Sequence, residues 1–466
     1  MDHAQPNDTG AAGRKATAVT GGGSTTVADA VCTACGCACD DIELTVEHNR
    51  LVAATRACER GTAWFLQERL ADLPLATIGG QTATLDEAVE EAARILAAAR
   101  YPLVYGLSAA NCEAQRFAVA IADWIGGNVD STTSTCDGPM GMAFHGVGEM
   151  TCTLGEIRHR GDLVIFWGAD PHETHPRHAE RFSLAPTGIF VPRGRADRTC
   201  VVVDVRKTKT ADDADLVITI KSGADFESLW TLRALAQGIA LDAEEVEEQT
   251  GVPLATWQKL FDLMKRAKFG VFMFGSGLTT TRGRFLNAEA VLALTRDMNA
   301  FTRFVCVPLR GPGNVAGADN VLLWTTGFPF GVNFALGYPR FNPGEYTAEE
   351  VLARREADAA LIVASDPIGE LGPAARAQLA VISTICVGAA ETTTSRAARV
   401  AIHTATPGIE TAGTVYRMDE VPLPLRKALD TSYPTDVDVL SRIENRVKEL
   451  RGCGTVPARA EKSRRV

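Results

Sequence analysis

The chain has 466 residues, a formal net charge of -10, and is 46% hydrophobic, 22% charged and 6% aromatic. That composition excludes collagen-like and largely disordered classes, and the length allows several domains of roughly 100–200 residues each. The negative balance argues against a protein that holds nucleic acid, and no run of about 18 apolar residues marks a membrane span.

From the N-terminus, residues 1–27 are rich in Gly, Thr, Ala and Asp and lack the apolar region of a secretory signal, so they read as a flexible tail. With no export signal, the 12 Cys read as reduced thiols or metal ligands in a cytoplasmic protein. Four lie in Cys32-Thr33-Ala34-Cys35-Gly36-Cys37-Ala38-Cys39, and Cys58 follows. Cys32, Cys35, Cys39 and Cys58 form C-x2-C-x3-C-x18-C, with Cys37 the extra thiol. Three thiolates on a tight loop and a fourth from a later segment suit an iron–sulfur cubane, towards which x2 then x3 leans, and also a tetrahedral zinc.

Thr84-Leu85-Asp86-Glu87 is a capping-box pattern that predicts a helix running to about Arg100. Pro102–Gly106 reads as a strand, and residues 113–125 as a second helix. The polar run Ser131–Thr135 places Cys136 on a loop, where a thiolate serves as a nucleophile or a soft metal ligand. Short apolar runs at 162–168, 201–204, 216–220, 271–275, 304–307 and 360–364 read as buried strands. Helical stretches separate them, which predicts an α/β fold of several doubly wound parallel-sheet domains.

Several of these strands end in Gly, Asp or Ser, at the edge where open α/β sheets bind ligands. His172, His175 and His178 follow one such strand, but Pro171 and Pro176 break any helix that would align them on a metal. Asp204 and Arg206 follow another and suit the ribose and phosphate groups of a nucleotide-like cofactor. Residues 310–345 are rich in Gly, Pro, Asn and aromatics, have little helical period, and read as a long irregular functional segment. No repeat at a 20–50-residue period stands out, and residues 455–466 read as a short basic end. Cys112, Cys152, Cys200, Cys306, Cys386 and Cys453 read as structural.

Six segments in order carry a family resemblance: CTACGCACDDI at 32–42, ACERG at 57–61, CDGP at 136–139, residues 162–178, residues 202–215, and the Gly/Pro-rich stretch from Arg310. Together they resemble the molybdopterin oxidoreductases, and within them the B-subunit family of formylmethanofuran dehydrogenase and of the bacterial formyltransferase/hydrolase complex. The resemblance implies that Cys32, Cys35, Cys39 and Cys58 hold a [4Fe–4S] cluster, with Arg60 between cluster and pterin. It implies that Cys136 ligates molybdenum or tungsten and that Arg310 is an active-site arginine. Gly168, Asp170, Asp204, Arg206, Thr208, Gly275 and Gly277 would lie on loops holding a bis(pyranopterin guanine dinucleotide). The implied partners are the sister A, C and D subunits, acting on a methanofuran-like C1 carrier, with neither nucleic acid nor membrane.

The implied organisation is a tail at 1–27, an Fe–S module at 28–75 and an α/β domain from 76–155 plus 310–410. A Rossmann-like domain at 156–309 and an extension at 411–466 complete it, without the superfamily's C-terminal pterin-binding β-barrel. Two positions depart from the family: Asp137 stands where active members carry His, and Pro312-Gly313 where they carry His-Tyr. Three readings follow. The chain interconverts carbon dioxide and formate, or it is a redox-inactive structural subunit, or it is a zinc-stabilised α/β binding protein.

Overall fold

The computed structural model describes residues 23–67 and 73–452. Two α/β sheets form its body. The smaller is wholly parallel, with five strands ordered Leu216–Thr219, Thr199–Asp204, Leu163–Trp167, Phe269–Phe274 and Arg303–Pro308. Alternate residues of these strands face opposite layers: Leu163, Ile165 and Trp167 pack on one side, Val164 and Phe166 on the other. Both faces are thus covered, which explains runs that are apolar throughout rather than alternating.

The larger sheet has nine strands, and its middle is parallel: Asn128–Ser131, Pro102–Gly106, Ala359–Val363, Ser383–Gly388 and Val400–His403. Its edges depart from the expected parallel pattern. The hairpin Ala76–Ile78/Gln81–Ala83 and the pair Val332–Asn333/Arg340–Phe341 add antiparallel strands. Strands joined by tight turns need no crossover helix, so short segments can extend an edge this way. The expected helix after Thr84 is Leu85–Ala98, with its capping box formed, and the second is Cys112–Ile125.

A three-stranded antiparallel sheet, Ser24–Ala30, Ile42–Glu47 and Arg50–Thr55, carries the cysteine loop. Ser24–Val27 therefore belong to a strand rather than to the tail expected there. The earlier tail residues, Cys453 and the basic end lie outside the described residues. The segment at 310–345 is also more regular than expected, because Val315–Thr326 is a helix. It is buried on most sides, so its sequence shows no polar stripe to reveal a helical period. Beyond residue 410 the chain is built into the body. The hairpin Gly413–Tyr416/Pro422–Leu425 closes over the cysteine loop, with Met418 N–H donating to Gly36 O at 3.0 Å. The helix Asp436–Leu450 packs on both early helices.

Asp436 opens that last helix and is buried, with the Thr404 hydroxyl bonded to its carboxylate. Burial pushes its carboxyl up to about 6 from 3.8. The folded chain then holds this proton more tightly than the unfolded chain, so the native state loses stability as pH rises from 3.8 to about 6. Asp436→Asn removes the titration. Its stability relative to wild type should climb by on the order of 2–3 kcal/mol between pH 4 and 7 in urea unfolding. A difference that stays flat with pH would refute this account of Asp436.

Candidate functional site

Cys32–Cys39 form a closed loop, with Cys32 N–H donating to Cys39 O at 2.9 Å and Ala38 N–H to Cys35 O at 3.1 Å. Cys58 is the N-cap of the helix Glu59–Leu66. Gly61, one turn into that helix, lies against Cys32: a Cβ there would sit 3.0 Å from Cys32 Sγ and 3.8 Å from Cys58 Sγ. A side chain at 61 would thus fill the space beside two of the expected ligand thiols. The Cys37 thiol bonds to Cys35 and, with a smaller contribution from Arg60, holds Cys35 down at about 7. Burial pushes Cys32 up to about 12 and raises Cys39 against the pull of Arg181. Arg177 and Arg181 are themselves anchored on Asp41 and Asp40. Among the described residues, no group of three or more His, Cys, Asp or Glu side chains is arranged to hold a single metal ion. A four-iron cluster spans more space than one ion, and four buried or half-buried thiols with cationic neighbours fit its donor chemistry.

Cys136 ends a helical turn, Thr133–Cys136, and is half-buried, rather than lying on an open loop. Its Sγ donates to Thr132 O at 3.4 Å and to Asp137 Oδ2 at 3.6 Å. Burial, then the Asp137 charge, push this thiol up to about 12. Arg310 lies across the same carboxylate, with Nε 3.6 Å from Asp137 Oδ2. The Arg310 guanidinium is buried, bonded to Asp319, and 3.8 Å from Glu420. Burial opposes its charge, but Asp319, Asp137 and Glu420 together raise its pKa well above the usual value. Glu149 and Glu420 reach solvent nearby, yet desolvation pushes each up to about 7.

The backbone of Arg310 meets the cysteine loop. A Cβ on Gly36 would lie 2.5 Å from Arg310 O, and the same oxygen bonds His175 Nε2 at 2.9 Å. Arg60 is on the adjoining wall, where its Nη1 donates to Thr174 O at 3.2 Å. The histidines at 172–178 are used internally. His175 caps Arg310 O, His172 bonds Thr210 and Asp213, and His178 bonds Ser183.

The strand-end loops gather where the strand order of each sheet reverses. In the smaller sheet the strand order reverses between Leu163–Trp167 and Phe269–Phe274, and there Gly168 meets Gly277, whose Cβ would lie 2.4 Å from Gly168 O. Asp170 uses both oxygens within the protein, accepting from Lys209 N–H at 2.8 Å and from Thr210 N–H and Oγ1 at 3.0 and 2.7 Å. It latches the loop after the neighbouring strand, whose Asp204 accepts from Arg206 N–H and whose Thr208 from Ala211 N–H. Thus Asp170 holds the loop in shape from within, while the Arg206 side chain is exposed.

The larger sheet repeats this construction. Asp366 accepts from Thr393 N–H at 3.1 Å and from Thr394 N–H and Oγ1 at 2.9 and 2.5 Å. Gly168 and Ala364 precede the two aspartates with φ of +55° and +49°, and a proline follows each aspartate. A cleft of about 900 Å³ opens here, lined by Arg60, Ser108, Gly313, Ser365, Asp366 and Thr392 among others. It lies where the strand order reverses between Pro102–Gly106 and Ala359–Val363, the expected place for a ligand in such a sheet.

Comparison with known proteins decides the family. No protein-family model matches. The B subunit of tungsten-containing formylmethanofuran dehydrogenase 2 from Methanocaldococcus jannaschii is 40% identical over 433 residues, covering 91% of this chain and 99% of its own. The chain belongs to the formylmethanofuran dehydrogenase B-subunit family. The B subunit of the formyltransferase/hydrolase complex Fhc from Methylorubrum extorquens is 29% identical, over 80% of this chain and 98% of that protein. Among solved structures, the formyltransferase/hydrolase complex FhcABCD from that organism, with methylofuran, matches at a TM-score of 0.65 and 26% identity. That match covers 80% of this chain and 99% of the other. Acetylene hydratase from Pelobacter acetylenicus matches at 0.67 over 91% of this chain and 69% of its own, and at 13% identity it speaks for the fold alone.

In this member of the B-subunit family, the sequence pointed to Cys136, Asp137 and Arg60 near Arg310 but not to Thr133, Glu149 or Glu420, nor to two further sets. One is the second latch, Asp366 with Thr393 and Thr394. Its signal was the Asp-Pro after an apolar strand, present also at Asp170-Pro171. The other is Asp319, a lone acid in an apolar stretch. Arg310→Met should destabilise the fold by about 3–5 kcal/mol, because Asp319 and Asp137 lose the cation that offsets their burial. Equilibrium denaturation would measure this, and a loss under about 1 kcal/mol would show that the network is not stabilising.

Proposed function

We propose that this chain is the metal–pterin and iron–sulfur subunit of a formylmethanofuran dehydrogenase-type complex, interconverting carbon dioxide and formate. Formate so produced would be condensed onto an amine-bearing C1 carrier by a sister subunit. One observation carries the reading: Cys136 and Arg310 flank a single carboxylate, and the backbone of Arg310 touches the four-cysteine loop. The name of the Methanocaldococcus relative supports tungsten or molybdenum, and the four-subunit Methylorubrum complex supports sister A, C and D subunits.

Cys32, Cys35, Cys39 and Cys58 would hold the [4Fe–4S] cluster, and Cys136 the molybdenum or tungsten. The strand-end loops at 168–170, 204–208 and 275–277, with those at 364–366 and 388–394, would hold the two pterin dinucleotides. Bound there, the metal supplies two-electron chemistry at carbon and the cluster carries single electrons. Arg60, beside Cys35 and lining the larger cleft, adds positive charge between the two. The Arg310 side chain turns Nε towards Asp137 and Nη1 towards Glu420, and a carboxylate substrate would compete with those two acids. Gly313 has φ +89°, and a Cβ there would meet Ser108 O at 2.4 Å, so this backbone path requires glycine at 313. Among the described residues no helix is long and apolar enough to cross a membrane, which fits the cytoplasmic location we propose.

A second reading, a redox-inactive structural subunit, is favoured by Asp137, whose carboxylate already faces Arg310 and would repel formate. Metal analysis of the complex separates the two. The catalytic reading expects about four iron and about one tungsten or molybdenum per chain. Cys136→Ala should then shed the tungsten or molybdenum and keep the iron, while Cys39→Ala should lose iron. Iron alone in the wild-type complex would leave the structural reading standing.

A further inference from the structure

Asp319 is one acid in an apolar helix, Val315–Thr326, and it joins two pieces of the site. Its Oδ2 pairs with Arg310 Nη2. Its Oδ1 accepts from Thr133 Oγ1 at 2.7 Å and from Ser131 Oγ at 3.4 Å. Arg310 Nη2 also donates to Thr133 Oγ1 at 3.3 Å, which closes a triangle. Thr133 begins the helical turn that ends at Cys136. All three members of the triangle are buried, with Asp319 7%, Arg310 4% and Thr133 1% exposed. Water competes little for such bonds, so they hold their geometry better than surface pairs.

The triangle also decides which guanidinium nitrogen is left without a bond. With Nη2 held by Asp319, Nε faces Asp137 beside the Cys136 thiol and has no hydrogen-bond partner of its own. Were Asp319 unable to hold Nη2, the nearest remaining anion would be Asp137, and the cation would swing towards Cys136.

We propose that Asp319 is a positioning residue: through Thr133 and Arg310 it fixes the placement of the positive charge relative to the Cys136 thiol. This rests on the reading that Cys136 and Arg310 form the reactive centre. It goes further, by assigning their mutual geometry to a residue that touches neither the metal nor the substrate.

The test needs no turnover. The full chain is produced without molybdate or tungstate, and Cys136 is alkylated with anionic iodoacetate and with neutral iodoacetamide. Mass spectrometry follows that thiol alone, with Cys136→Ser as the blank. The ratio of the two rates reports positive charge at the thiol. Access and thiol ionisation affect both reagents and largely cancel, so a merely structural loosening leaves the ratio unmoved.

Two variants preserve every charge. Thr133→Val cuts the tie to the turn, and Asp319→Glu lengthens the arm that holds Arg310. Positioning predicts that both shift the ratio by about twofold or more, the smallest coupling expected of residues in contact. Thr133→Ser, which keeps the hydroxyl, should restore it. Asp319→Asn should raise the ratio further. A wild-type ratio in both Thr133→Val and Asp319→Glu overturns the proposal, whatever Asp319→Asn does, since a change there alone reports only the lost charge. Should Asp319→Asn fail to fold, the charge-preserving pair still decides. Metal content plays no part in this readout, so a chain without tungsten or molybdenum would refute the proposed activity and leave the positioning role to be judged on its own.

Discussion

A guanidinium taken out of water must be met by anions and acceptors, or the fold loses several kcal/mol. Arg310 meets that demand with residues from separate stretches of chain: Thr133 and Asp137, Asp319, and Glu420. Its carbonyl is as heavily used, accepting from His175 and lying against Gly36. The cysteine loop, the turn bearing Cys136, the helix after Arg310 and the C-terminal hairpin are therefore all referred to one residue. Because both sheets and the N-terminal module meet at this point, small errors in any of them would be felt at the thiol.

The charge balance there is unusual for a site thought to handle an anion. One arginine faces Asp137, Asp319 and Glu420, with Glu149 also near, and burial shifts Glu149 and Glu420 towards neutrality. Protonation of those two acids near neutral pH is the way such a cluster avoids a large net negative charge. Asp137 then acts as the local counter-ion of Arg310, the place that an imidazole would leave open.

Much of this was legible beforehand, because it is local. Seven apolar runs became seven strands, since apolar residues buried on both faces leave a continuous signature. The capping box at Thr84 formed as written. The cysteine loop, Cys136, Arg310 and Arg60, singled out separately in the sequence, lie close together in the fold. What stayed hidden depends on distant partners. The helix Val315–Thr326 lacks a polar face because neighbours surround it. Cys136 sits on a helical turn that Asp319 holds from afar through Thr133, with Asp130 adding a local bond from Ser134 Oγ at 2.6 Å. The second latch showed in the sequence only as an Asp-Pro after an apolar strand, because its partners Thr393 and Thr394 lie on a later loop, as Lys209 and Thr210 do for Asp170.

The order in which the strands arrive has a consequence for synthesis. The five strands of the smaller sheet are consecutive in the chain, so that unit is complete once residue 308 has been made. The larger sheet cannot close then, because Pro102–Gly106 pairs with Ala359–Val363, which lies beyond the whole of the smaller one. A ribosome-bound nascent chain thus exposes an unpaired strand edge for the time needed to translate the insert. Chaperone demand should fall in that window, and slow codons between residues 308 and 359 would lengthen it.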